Sequence, residues 1–159
     1  MKMVLDTDVL RSGLQSPRGA SRLLLCAVAE GALRPLVTVA MVLEHEDVLL
    51  RPESLGATGL SPDETIRFLD AYIARSEPVP IRQRYRPSIK DPGDELFVEA
   101  LLNGGGDAIV SFNRRDYLPA DIRRASQGMT VVPVLLPGDA LRRLAWRPST
   151  TTLFGFPPR

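Results

Sequence analysis

Short β-prone runs alternate with helical segments along most of the chain, and this alternation limits the fold more than any other feature. The β-prone runs cover residues 2–5, 36–38, 78–81, 108–112 and 129–136. Segments with helix-start or helix-stop signals cover residues 17–30, 39–50, 62–75, 91–103 and 137–146. Strands that alternate with helices in this way are typical of a parallel sheet. We therefore predict an α/β fold with a central, mostly parallel sheet flanked by helices.

Two stretches are predicted to be loops. Residues 6–8 read Asp-Thr-Asp directly after the first strand, and residues 52–60 are rich in Gly, Ser and Pro. The helix over residues 39–50 is apolar nearly all round its circumference, which predicts burial.

Length and composition predict one globular domain. The chain has 159 residues, of which 44% are hydrophobic and 25% are charged, as in an ordinary folded domain. We assign the domain to residues 1–146 and expect residues 147–159 to form a loosely held tail. The apolar runs are far shorter than the roughly 20 residues of a membrane-spanning helix, and no secretory signal is recognisable. We expect a cytoplasmic protein without a membrane partner.

Scarce residue types exclude several chemistries. The chain has one cysteine, Cys26, and one histidine, His45, which excludes an internal disulfide and the zinc sites built from His and Cys. We place Cys26 in the core and expect His45 to be packed or solvated rather than a ligand. Because the net charge is only +1, any nucleic-acid binding must come from local arginine groups.

Polar residues that follow the strands are the candidate site residues, because ligands bind at the carboxyl ends of parallel strands. Four groups qualify, namely Asp6 with Asp8, Glu44 with Glu46, Asp91 with Asp94 and Glu95, and Asn113 with Asp116. Acids that converge from separate segments repel one another unless a divalent cation lies among them. The pattern therefore predicts a site for a hard metal ion.

Several of these acids also have a purely structural interpretation. Asp8 suits a turn, and Asp91 suits a helix N-cap followed by Pro92. Helical periodicity does not choose between Glu44 and Glu46.

An aspartyl-phosphate phosphatase is the main rival among acid-based chemistries. The segment Val4-Leu5-Asp6-Thr7-Asp8-Val9 resembles its first motif, but that chemistry needs a lysine late in the chain, and none follows Lys90. A P-loop is also absent, because the triple glycine at residues 104–106 ends a helix instead of beginning one.

Four segments resemble the PIN (PilT N-terminal) domain family in the order that the family shows. Residues 4–10, VLDTDVL, resemble its opening VLDTNVL, and residues 43–49, LEHEDVL, resemble the helix that carries a single acid before a Val-Leu pair. Residues 91–95, DPGDE, resemble the DPDDE segment of the VapC-like toxin subgroup, and residues 106–113, GDAIVSFN, resemble GADYIVTGD.

The resemblance implies a three-layer α/β fold and a metal-dependent ribonuclease, often the toxin of a toxin–antitoxin pair. It assigns catalytic and metal-binding roles to Asp6, Glu44 and Asp94, with Mg²⁺ or Mn²⁺ as the cofactor. It further implies an RNA substrate, a homodimer and a cognate antitoxin as partners. Arg114 and Arg115 are candidate phosphate contacts, and Arg82, Arg84 and Arg86 are looser candidates.

Two residues depart from the family pattern. Asn113 stands where the family carries its fourth acid, and Asp8 stands where it carries asparagine. Asp8 or Asp116 would compensate for the lost charge as a supporting ligand beside Asn113. Without such compensation, we expect a weakened nuclease or a module that binds RNA or a partner protein without efficient cleavage.

Overall fold

A parallel sheet forms the centre of the domain. The computed structural model describes residues 1–128, 132–149 and 153–155. Its strands are β1 (Lys2–Leu5), β2 (Arg34–Val37), β3 (Glu77–Pro78), β4 (Ala108–Val110) and β5 (Val134–Leu135). Their order is β3-β2-β1-β4-β5, and all neighbours run parallel. The predicted α/β fold is confirmed.

Helices connect and flank the strands. They are α1 (Thr7–Gln15), α2 (Ala20–Ala29), α3 (Val39–Leu49), α4 (Pro52–Thr58), α5 (Pro62–Ala74), α6 (Glu95–Gly104), α7 (Pro119–Ala125) and α8 (Pro137–Leu144). A 3-10 turn, Pro92–Asp94, precedes α6. Among the described residues, no helix combines the length and apolar character that crossing a membrane requires.

The core surrounds the central strand. Met3, Val4 and Leu5 of β1 are fully buried, as expected for a strand with a neighbour on each side and helices over the sheet. Helix α6 packs against β1, β2 and β4, while α2 packs against α1 and α8. Cys26 lies in this core, as predicted.

Both loop predictions are wrong, because helix-capping residues were interpreted as loop residues. Asp6 is the N-cap of α1, and its side chain accepts from the Asp8 backbone N–H. Pro52 begins α4, and Gly59 ends it with a left-handed backbone at φ +68°, which is the usual proline-start and glycine-stop pattern. Helix α7 was not predicted at all.

Helix α3 is not buried all round, contrary to the sequence prediction. Val39 is 78% exposed and Leu43 is 61% exposed. The opposite face carries Met41, His45 and Leu49, which are buried. An apolar composition therefore did not imply burial, because one face of the helix lies outside the core.

Part of the predicted tail has contacts with the domain. The Ser149 backbone N–H donates to the Glu30 carboxylate, Leu153 is fully buried, and Phe154 packs against Phe68 with ring centroids 5.9 Å apart. The predicted loose order of residues 150–152 and 156–159 lies outside the described residues.

Candidate active site

The candidate site lies where β1 and β4 end side by side. Leu5 and Val110 are register partners, so Asp6 and Ser111, which follow them, are neighbours across a large sequence separation. Strands β2 and β3 extend the sheet on one side of β1, and the later strands β4 and β5 extend it on the other side. The chain thus changes sides of the sheet between β1 and β4, which makes this place a topological switch point. Ligands of open parallel sheets bind at such a switch point.

Asp6 is held by hydroxyl groups from two later segments. Ser111 Oγ donates to Asp6 Oδ2 at 2.6 Å, and the Tyr117 hydroxyl approaches the same oxygen at 3.4 Å. Burial raises the pKa of Asp6, the hydrogen bond from Ser111 opposes this rise, and the nearby charge of Asp8 adds to it. These contacts fix the orientation of the carboxylate, which is the kind of support that a precise site needs.

Asp94 is the most crowded carboxylate of the group Asp6, Asp91, Asp94 and Asp116, and we call the region that these four residues form the acidic edge. Asp94 is half-buried at the junction between the 3-10 turn and α6. Burial raises the pKa of Asp94 to about 7, with further contributions from the charges of Asp6, Asp91 and Asp116, while hydrogen bonding from Tyr117 acts in the opposite direction. A carboxylate crowded in this way is stabilised in its ionised form by a nearby cation.

Three carboxylates of this edge offer oxygens at metal-sharing distances. One oxygen each of Asp91, Asp94 and Asp116 lies within 4.8 Å of the other two. Asp91 also accepts from the Gly93 backbone N–H at 2.8 Å, so it both caps the turn and belongs to the cluster. An all-oxygen donor set with this excess of negative charge fits a hard divalent cation.

The two departures from the family pattern have different surroundings. The Asn113 side-chain amide donates to Asp116, and its backbone N–H donates to Ser111 Oγ at 3.0 Å. The Asp8 carboxylate is exposed and forms an ion pair with Arg11 at 3.0 Å. Asn113 therefore joins the acidic cluster through Asp116, whereas Asp8 is engaged with its own helix.

Glu44 and Glu46 lie on α3, outside the three-carboxylate cluster. Glu44 is half-buried and makes no hydrogen bond or ion pair among the described residues. Its charge contributes to a raised pKa of Arg51, an effect dominated by Asp47. Glu46 is exposed and lines a surface cavity with Leu43 and Asp47. The structure does not bring Glu44 into the cluster formed around Asp94.

His45 supports the site from within the core. It is fully buried, its Nδ1 lies 2.8 Å from Thr7 Oγ1, and its ring packs near Tyr72 and Phe97. Its Nε2 has no hydrogen-bond partner, and burial lowers the pKa of His45 to about 4. The side chain is thus a neutral link between α3 and the start of α1, consistent with the expectation of a packed residue.

We expect His45 to make the protein less stable in mild acid. The pKa of His45 in the folded state, about 4, lies below the ordinary histidine value of 6.5. The preference of the folded state for neutral His45 therefore contributes fully to the free energy of unfolding above pH 6.5. This contribution, about 3 kcal/mol in total, is lost as the pH falls towards 4. Urea unfolding at several pH values should show a steeper loss for the wild type than for His45→Asn. Parallel pH profiles would contradict this assignment.

The arginines near this edge have different environments. Arg114 and Arg115 are exposed and line a groove of about 740 Å³ together with Asn113 and Tyr117. Arg86, by contrast, is bound internally, because Nε and Nη2 each lie 3.1 Å from an oxygen of Glu99. Arg86 is therefore a structural residue rather than a free phosphate contact.

Sequence reasoning missed Tyr117. The residue is fully buried, and its pKa is raised by burial and then by Asp6 and Asp94. An aromatic residue after a polar loop is usually assigned to the core, and nothing in its local sequence indicates that its hydroxyl reaches two acids. Asp91 was interpreted as a helix cap, which is correct but incomplete.

These features define an α/β domain with an acidic site at the switch point of a parallel sheet. A family model described as PIN domain matches residues 2–115, and the chain therefore belongs to the PIN domain family. PIN domains are generally nucleases and typically use divalent metals. No curated protein and no solved structure matches this chain.

Proposed function

We propose that this protein is an endoribonuclease that hydrolyses RNA phosphodiester bonds with Mg²⁺ or Mn²⁺ bound at its acidic edge. The supporting observation is the crowding of Asp94 by Asp6, Asp91 and Asp116 at the switch point of a PIN domain sheet. Unless the charges are compensated, such crowding costs free energy that the folded chain must supply. A divalent cation is the natural compensating group.

The proposed ligand set combines geometry with the family resemblance. Asp94 is the central ligand, because it interacts electrostatically with Asp6, Asp91 and Asp116. Asp6 is close enough to raise the pKa of Asp94, and Asp116 shares the three-carboxylate cluster. Glu44 is retained as a ligand on the resemblance alone. When bound, the cation would supply Lewis-acid activation of water and offset negative charge on the scissile phosphate.

The remaining residues orient this set and hold the substrate. Ser111 and Tyr117 both engage Asp6 Oδ2, while Oδ1 accepts only a long hydrogen bond of 3.5 Å from the Asp8 backbone N–H. Asn113 holds Asp116 by its amide and therefore acts as a positioning residue in this proposal. Arg114 and Arg115 bind phosphates of the RNA backbone, for which the guanidinium group is well suited.

A second candidate function is binding of RNA or a partner protein without efficient cleavage. Asn113 favours it, because the residue is neutral where the family carries an acid. Its amide donates to Asp116, so its side-chain N–H is directed at a carboxylate. In this reading, Asn113→Asp would increase cation affinity and cleavage.

The biological role that we propose is the toxin of a type II toxin–antitoxin pair, acting in the cytoplasm as a homodimer with a cognate antitoxin. This role rests on the resemblance of residues 91–95 to the VapC-like subgroup. Induced expression of the wild-type chain in bacteria should arrest growth, and an Asp94→Asn chain expressed to the same level should not.

Cleavage of a labelled RNA by purified protein tests the proposed activity. We expect internal cleavage in Mg²⁺ or Mn²⁺ and none in EDTA, with activity restored when the metal is returned. Binding without cleavage under all metal conditions would favour the second candidate function. Release of phosphate from a simple monoester, dependent on Asp8, would instead support the aspartyl-phosphate alternative.

A further inference from the structure

Phe112 is an exposed aromatic residue beside the acidic edge. It follows Ser111 directly and is 49% exposed, as is Leu118 nearby in the chain. Phe112 lines the groove of about 740 Å³ together with Arg114 and Arg115, and it also lines a second cavity of about 470 Å³ with residues of α2 and α8. Its exposed ring therefore borders both cavities and is accessible to a ligand in either one.

The arginines of the groove have unoccupied guanidinium groups. Among the described residues, Arg114 and Arg115 make no hydrogen bond or ion pair, whereas Arg124 pairs with Asp121 and Arg142 pairs with Asp139. Two cations without an ion pair and an exposed aromatic side chain line the same groove, which makes its surface complementary to a polyanion with planar groups. Single-stranded nucleic acid has this chemistry.

The groove is continuous with the acidic edge. Asn113 lines the groove and donates to Asp116 of the three-carboxylate cluster. Tyr117 also lines the groove, and its hydroxyl reaches Asp6. A strand whose phosphate lies at the acids would therefore place a neighbouring nucleotide in the groove.

We propose that Phe112 is the stacking platform of a nucleotide subsite, with Arg114 and Arg115 binding the flanking phosphates. The proposal rests on the proposed function in that the bound strand is the RNA substrate. A base in a duplex already has both faces stacked, so the subsite accepts an unpaired base. Phe112 thus makes the protein prefer a substrate that is single-stranded next to the scissile bond.

Binding measured in EDTA tests the subsite independently of cleavage. The assay is fluorescence anisotropy, measured with a labelled single-stranded RNA of mixed sequence and with the same strand annealed to its complement. Phe112→Ala should weaken binding of the single strand roughly 5- to 100-fold, in the range found for loss of one base–aromatic stack, and should leave duplex binding unchanged. Phe112→Tyr keeps the ring and should restore wild-type affinity.

The matched control is Leu43→Ala, which removes a 61% exposed apolar side chain from α3, and circular dichroism checks that each variant is folded. Arg114→Ala and Arg115→Ala should each reduce the slope of log affinity against log salt by roughly 0.7. Single-strand binding that weakens no more with Phe112→Ala than with Leu43→Ala would overturn the proposal. An equal loss on duplex RNA, or no rescue by Phe112→Tyr, would also overturn it.

The two proposals can fail separately. If the wild type cleaves RNA but the Phe112 variants bind like the control, the subsite is wrong and the nuclease stands. If no metal supports cleavage but the single-strand affinities follow the predicted order, the subsite stands and the nuclease activity is wrong.

Discussion

Replacing Asp94 with Asn is expected to lower the RNA cleavage rate by on the order of 10²-fold or more, the scale seen when one preorganised charge-stabilising group is removed from an active site. The substitution keeps the shape of the side chain but removes the charge that the other acids of the edge surround. Asp6→Asn should give a loss of similar size, and Glu44→Gln tests the ligand that only the resemblance supports.

The same substitution should leave the protein as stable as the wild type, or more stable. The pKa of Asp94 is raised to about 7, above the unfolded value of 3.8, so its ionised form destabilises the fold at neutral pH. Loss of activity with retained or increased stability separates a functional residue from a structural one. Cleavage rates and urea unfolding of the same preparations provide both readouts.

Asp107→Asn is the matched control for these variants. Asp107 is exposed just before β4, at the opposite end of the sheet, where its carboxylate accepts from the Lys2 backbone N–H at 2.8 Å. Its cleavage rate should equal that of the wild type. An Asp94→Asn protein that cleaves like Asp107→Asn would show that the acidic edge is not the active site.

The second large effect is expected from Arg86→Ala, which should lower the free energy of unfolding by about 2 kcal/mol, because the Arg86 side chain is 45% exposed while its two partners are buried. Arg86 binds both oxygens of Glu99 and lies 3.6 Å from Glu95 Oε2. Both glutamates are only 4% exposed, so removing the guanidinium leaves two buried carboxylates without their cation. Arg86→Lys should recover part of the loss, because it restores the charge without the two-pronged geometry.

Arg124→Ala serves as the control for Arg86. Arg124 also forms an ion pair, with Asp121 at 2.5 Å, but its side chain is 77% exposed, and such surface pairs contribute about 0–1 kcal/mol. Denaturant unfolding under identical conditions compares the two variants. Equal small losses for both would show that the Arg86 pair is no stronger than a surface pair.

The fold was largely predictable because β1, β4 and β5 lie in short apolar runs and most helices have recognisable start or stop residues. Strand β3 (Glu77–Pro78) is the exception, since it overlaps the predicted run of residues 78–81 only at Pro78. Helices α1 and α4 were missed for a local reason, since Asp6, Pro52 and Gly59 serve equally well in loops and at helix ends. Only the surrounding packing decides between those uses. The prediction that α3 is buried all round failed for a related reason. The residue types on a helix face show that the face is apolar, but they do not show whether another element packs against it.

The sequence was sufficient to predict which acids form the site, but not which hydrogen bonds hold them in place. The positions of Asp6 and Asp94 after a strand and before a helix indicate an edge of the sheet. The contact between Tyr117 and Asp6 spans 111 positions, and no local pattern encodes such a pairing. Likewise, the sequence gives no reason for the Asn113 amide to hold Asp116, because that contact depends on the backbone of the loop.

The position of Mn²⁺ in crystals of the protein, located by its anomalous scattering, tests the central claim most directly. We expect one dominant peak at the acidic edge, in contact with Asp94 and with at least one of Asp6 and Asp116, and we expect Asp94→Asn to abolish it. Crystals soaked in millimolar Mn²⁺ that show no peak at this edge, or a dominant peak away from Asp94, would contradict the account.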